Sequence, residues 1–125
     1  MGLERINPIN VCPAPGYSHV VKAGNTIYIA GQVARKLDGS LAGTDIESQT
    51  HQVFKNLIHG LESAGAGLKD LAKIMVYLTD AGDLQGFRSV KEEYLQNDLP
   101  AQTVVIIELG SPEFKLEIEA IAVLS

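Results

Sequence analysis

The sequence predicts one α+β domain in which two helices pack on a single face of a β-sheet. Several stretches alternate apolar and polar residues with the period of a strand, and two segments between them carry apolar residues at helical spacing. No linker, repeat or low-complexity tract interrupts that order, so residues 1–125 form a single unit. At 13.4 kDa the chain is large enough for one core of its own and too small for two.

Met1 to Gly16 contains Pro8, Pro13, Pro15 and Gly16 and is expected to run extended, because proline lacks the N–H that a helix needs. A strand begins near Ser18. His19-Val20-Val21-Lys22-Ala23, then Gly24-Asn25, then Thr26-Ile27-Tyr28-Ile29-Ala30 has the form of a hairpin, with Gly24 and Asn25 both expected at positive φ. Gly31 ends the second arm, and Asp38-Gly39-Ser40 marks another turn. From Thr44 the period changes. Ile46, Val53, Phe54, Leu57, Ile58, Leu61 and Ala64 follow helical spacing, Thr44 and Glu47 have the form of a capping box, and Gly65 and Gly67 are the expected stop. Ala72 to Thr79 reads as a strand with Ile74, Val76 and Leu78 on one face and Met75 and Tyr77 on the other. A second helix is expected from about Asp83 to Asn97, burying Leu84, Phe87, Val90 and Tyr94. Pro100 to Ile107 and Lys115 to Val123 close the chain as two neighbouring strands, with Pro100 at the entrance, where its missing N–H breaks no ladder.

Two helices cover only one face of such a sheet, yet its strands are apolar on both. Val105 and Ile107 oppose Val104 and Ile106, and Ile121 and Val123 oppose Ala120 and Ala122. The uncovered face is therefore expected to be buried against identical chains in a closed ring.

Composition narrows the function classes. A net charge of -5 and a pI near 5.1 argue against a nucleic-acid partner, which would need clustered Lys and Arg. The long apolar run from Val104 to Ile107 is too short to span a bilayer, and the amino terminus lacks the pattern of a signal peptide, so a cytoplasmic setting is expected. Cys12, the single cysteine, has no internal disulfide partner and suits the role of a small apolar filler.

No phosphate-loop or GxSxG string occurs. His51 and His59 lie more than two helical turns apart, too far for joint metal ligation, and read as solvated helix residues, so no metal site is expected. His19 fits either a hydrogen-bonded structural role or a pocket. What remains is Glu119 on the last strand, beside Gln102 at the start of its neighbour. Carboxylates on a mostly apolar strand are costly to bury without a purpose or a partner. On residue types alone Glu117 and Glu119 are expected to face solvent or to pair with Lys73 or Lys115 across the sheet.

The order of motifs carries a resemblance. Pro15-Gly16-Tyr17, Ala30-Gly31-Gln32, Gln49, Asn56-Leu57, Val76-Tyr77-Leu78-Thr79-Asp80, Phe87 with Tyr94, Pro100-Ala101 and Glu117-Ile118-Glu119-Ala120-Ile121-Ala122 together resemble the Rid family. That family, the reactive intermediate deaminases, is also called YjgF or L-PSP endoribonuclease. The resemblance implies a chorismate-mutase-like subunit with a mixed, mostly antiparallel sheet. It also implies a homotrimer with a central β-barrel and small-molecule clefts between subunits. It implies hydrolysis of enamines or imines to carbonyl compounds and ammonia without a cofactor. By the same resemblance Glu119 positions the water, and Tyr17, Gly31 and Phe87 are expected to bind substrate. The family's carboxylate-binding arginine follows the Pro-Ala pair, where this chain has Gln102. An asparagine four residues after the helix phenylalanine is Lys91 here, which would return a cation to the cleft. The expected substrate is therefore an enamine or imine other than 2-aminoacrylate. The competing expectation is a non-catalytic trimer that binds a metabolite or acts like a chaperone.

Overall fold

The computed structural model describes residues 2–125. Its sheet has six strands: β1 (Glu4–Ile6), β2 (Val20–Ala23), β3 (Thr26–Gln32), β4 (Leu71–Leu78), β5 (Ala101–Ile106) and β6 (Leu116–Val123), in spatial order β1-β2-β3-β6-β4-β5. Helix α1 (Ile46–Ser63) links β3 to β4, and α2 (Leu84–Tyr94) links β4 to β5. β6 runs antiparallel to both β3 and β4, while β4 and β5 are parallel. β3 and β4 are thus parallel strands joined by a helix with β6 inserted between them, a split β-α-β unit.

The closing strands differ from the expected neighbours, because β4 lies between β5 and β6. β5 follows β4 through a helix, and a helical crossover returns the chain parallel to the strand it left. The slot between β3 and β4 then remains for β6, whose Ala120 and Ala122 are small enough to pass beneath the helices. At the β2–β3 turn only Gly24 carries a positive φ, of 60°; Asn25 does not.

α1 begins one residue later than the Thr44 capping box implies. Asp45 is its N-cap, accepting the Ser48 amide at 2.9 Å, and those bonds hold its carboxyl below the usual carboxylate range. Gly65, at a φ of 81°, follows the helix as expected. α2 stops at Tyr94 instead of reaching Asn97. Leu95 turns extended and buries its side chain in the core, and Asp98 follows at a positive φ of 52°.

The core lies between the helices and one sheet face. Phe54, Leu57 and Leu61 of α1 and Phe87 of α2 meet Ile27, Ile74, Val76 and Ile118, all fully buried. Gly60 brings α1 close to the sheet, where an added Cβ would meet a Val20 methyl at 3.4 Å. Among the described residues no helix covers the opposite face. Tyr28 and Val123 are about half exposed there, 48% and 47%, and Ile121, Met75 and Tyr77 continue the apolar surface.

Candidate functional site

Proline-rich residues 7–17 form a strap across the end of the β2–β3 hairpin, held by one buried histidine. The His19 amide donates to Asn7 Oδ1 at 3.0 Å, and its ring Nε2 lies 2.7 Å from the Cys12 carbonyl oxygen. That carbonyl only accepts, so Nε2 carries the proton and Nδ1 accepts from Gln32 Nε2 at 3.0 Å. His19 is therefore both structural and a pocket residue: its ring meets Tyr17 edge to face at 5.9 Å. A cavity of about 240 Å³ opens beneath the strap, lined by Cys12, Tyr17, His19, Gly31, Arg35 and Phe114 among others. Cys12 is a cavity-wall residue, beyond the filler role expected of it.

The carboxylate pressed against Gly31 is Glu117, not Glu119. A Cβ built on Gly31 would fall 1.8 Å from Glu117 Oε2, so only glycine leaves room for this side chain. The two glutamates and Tyr77 share the uncovered sheet face. Burial, and then the charge of Glu119, push the Glu117 carboxyl above the usual carboxylate range. Glu119 is exposed and accepts the Tyr77 hydroxyl, which raises the phenol's own proton affinity. Pairing with lysine is not how these carboxylates are held. Lys115 goes to Asp83 at 3.4 Å, and Lys73 shares a shallow depression with Glu119 without an ion pair among the described residues.

Gly31→Ala is expected to force Glu117 away from its seat and lower any reaction that uses it by about a hundred-fold, the scale of an ångström-sized misplacement. Kinetics together with a structure of the variant would check both halves.

Gln102 and Lys91 lie elsewhere. Lys91 of α2 donates from Nζ to Gln102 Oε1 at 2.8 Å on the outer strand β5. Partial burial, then neighbouring Arg88, lower the proton affinity of Lys91. Lys91 therefore reaches the strand position after Pro100-Ala101. Two strands separate β3 from β5, which puts Gly31 and Gln102 about 14 Å apart across the sheet at ordinary strand spacing. Within this chain they do not come together. Phe87 is fully buried in the helix–sheet core and has no surface on a cleft of this chain. His51 bonds Tyr94 at 2.9 Å instead of standing free in solvent, and among the described residues no group of three or more His, Cys, Asp or Glu is placed to hold a metal ion.

Sequence reasoning missed Glu117 as the side chain at Gly31, and it missed Arg35. The first had a signal in the strict alternation of the last strand, which places both glutamates on one face without ranking them. Arg35 had none.

Comparison with known proteins decides the family. A family model described as Endoribonuclease L-PSP matches residues 9–124. The chain belongs to this YjgF/Rid/L-PSP family. A RutC family protein of Pyrococcus horikoshii is 39% identical over 111 residues, covering 88% of each chain. A 2-iminobutanoate/2-iminopropanoate deaminase of Dermatophagoides farinae is 28% identical over 127 residues, covering 99% of each. Among solved structures, the Rid-family protein YyfA of Yersinia pestis superposes with a TM-score of 0.93 at 28% identity, covering 98% of this chain and 100% of the other. The α+β fold of this Rid-family chain is thus the fold of its relatives, and no helix of the described residues is long and apolar enough to cross a membrane.

Proposed function

We propose that this Rid-family chain hydrolyses a reactive enamine or imine, other than 2-aminoacrylate, to a carbonyl compound and ammonia, in clefts between the subunits of a homotrimer. The observation that carries this reading is the half-buried Glu117 carboxylate seated against Gly31, beside the Tyr17 cavity. The deaminase named among the relatives supports the reaction class.

The carbon of an imine is already electrophilic, so the protein needs only to hold the substrate, place a water and manage protons. Glu117 takes a proton from water as the water oxygen bonds to the imine carbon, the C=N electrons move to nitrogen, and the Glu117 carboxyl delivers that proton to nitrogen, giving a carbinolamine and the free carboxylate. The carbinolamine then collapses: the carboxylate takes the hydroxyl proton and passes it to nitrogen, the O–H electrons form the C=O bond, and the C–N bond breaks with its electrons on nitrogen, which leaves as ammonia. A carboxyl whose proton affinity is raised by burial and by Glu119 suits a group that must both take and return a proton. Glu119, in this reading, acts on Glu117 through its charge while the Tyr77 hydroxyl holds it in place.

The homotrimer rests on two further features. The uncovered sheet face is apolar along Tyr28, Ile121 and Val123, as subunit interfaces are. In addition, Gln102 and Lys91 of one subunit complete the Tyr17–Gly31 half-site of the next, since within one chain they lie too far apart.

Gln102 sets the substrate limit, because an amide gives hydrogen bonds but no charge at the position after Pro100-Ala101. With serine dehydratase supplying 2-aminoacrylate, the wild-type protein is expected to leave its decay unchanged and Gln102→Arg to accelerate it. A variant as inert as the parent would refute the assignment of Gln102.

A further inference from the structure

The Tyr17 cavity holds a guanidinium in a built setting. Arg35 leaves β3 on a short loop whose ends are tied: the Ala42 amide donates to the Ala34 carbonyl at 2.9 Å, and the Lys36 amide to the Ser40 carbonyl at 2.9 Å. Beneath it, the buried Asn56 of α1 donates from Nδ2 to the carbonyls of Val33 and Arg35 at 3.0 and 3.1 Å, fixing the backbone that carries the side chain. The guanidinium stacks on Phe114, with Cζ 4.9 Å from the ring centroid. Nη1 donates to the Gly39 carbonyl at 2.8 Å and Nη2 to Glu113 Oε1 at 2.7 Å. Nε–H and the remaining N–H of each terminal nitrogen have no protein partner among the described residues.

Glu113 is the exposed member of this ion pair, its side chain 43% accessible. Its backbone is nonetheless anchored, since Gln49, fully buried in α1, donates to the Glu113 carbonyl at 2.9 Å. The pair is therefore an anchored cation on a cavity wall, covered by a carboxylate that water can reach. Glu113 meets the guanidinium through Nη2 alone, so a planar carboxylate arriving in the cavity can compete for Nη2 and also meet the N–H groups left open.

We propose that Arg35 is a specificity-determining residue of the Tyr17 cavity: it binds the carboxylate of an anionic 2-imino or 2-keto acid, in competition with Glu113. The charge absent at Gln102 is thereby supplied from the loop after β3, on the Phe114 side of the cavity. An acid held there presents its carboxylate from a different wall than one held at position 102, so the cavity selects a different set of acids. This proposal rests on the cavity being the substrate site. Its test measures binding without turnover, so the two can fail separately.

The probe is 2-oxobutanoate, which carries the carboxylate without the labile imine, titrated calorimetrically into the assembled protein. Arg35→Gln is expected to weaken binding about ten-fold or more, the scale of a lost charge-assisted hydrogen bond. Glu113→Gln is expected to tighten it about three-fold or more by removing the competitor, and Lys91→Met to change it less than Arg35→Gln does. Glu113→Gln leaves the buried residues untouched and decides the matter even if Arg35→Gln fails to fold. No binding by the wild-type protein, unchanged or weakened binding in Glu113→Gln, or a larger loss in Lys91→Met than in Arg35→Gln would each overturn the proposal. Arg35-dependent binding in a protein that hydrolyses no imine would uphold it and count against the reaction alone.

Discussion

Glu117→Gln is expected to lower imine hydrolysis by about 10²–10⁴-fold, the usual contribution of a positioned acid–base group, while making the protein more resistant to heat at neutral pH. The second effect follows from linkage. Glu117 has a raised proton affinity in the folded state because burial and Glu119 disfavour its charge. Its ionised form therefore costs stability, a cost that grows as pH rises from the ordinary carboxylate range through the raised value. Glutamine carries no charge to bury, so the gain in Tm should be present at neutral pH and absent well below the carboxylate range. The same shift governs the rate. Activity requires the ionised base, so the acid limb of the pH profile should lie above that of an ordinary glutamate, and Glu119→Gln should move it to lower pH. Activity lost without a pH-dependent change in Tm would point to a structural role.

Charging the uncovered sheet face should have the other large effect. Tyr28→Lys and Val123→Glu, on residues about half exposed in the single chain, should leave each subunit folded while placing charges in a buried interface. Light scattering should give the trimer mass for the parent and the subunit mass for the double variant, with circular dichroism unchanged. Hydrolysis should fall with the trimer, because the half-site at Gly31 and the half-site at Gln102 lie on strands separated by two others. A parent that is monomeric, or a dissociated variant that retains full activity, would contradict an intersubunit site.

Local patterning made much of this subunit legible in its sequence. The hairpin, both helices and the alternation of β4 each depend on residues near one another in the chain, and α1 and α2 appear within a few residues of where periodicity places them. Strand adjacency is not local. Alternation in the last two strands says which residues share a face but not that β4 separates them. Helix ends depended on single competitions: Asp45 outcompetes Thr44 as cap, and Leu95 leaves α2 to enter the core.

At the site, motif order located Tyr17 and Gly31, which line one cavity, and Gln102 with Lys91, which touch each other. Choosing between Glu117 and Glu119 required the register irregularity between Ile29 and Gln32, which sets where Gly31 meets β6. Phe87 occupies the helical phase of a core residue, and the core claims it. Arg35 and Phe114 come from loops far apart in sequence, and their meeting depends on Gln49 and Asn56 fixing both loops from α1.

The fate of imines in the presence of the wild-type protein measures the proposed hydrolysis most directly. An amino-acid oxidase can release 2-imino acids with side chains of increasing size while semicarbazide traps whatever imine survives. The protein is expected to lower the trapped yield for at least one member of the series, and Glu117→Gln to restore it. Trapped yields unchanged across the whole series, or lowered equally by Glu117→Gln, would contradict that reading.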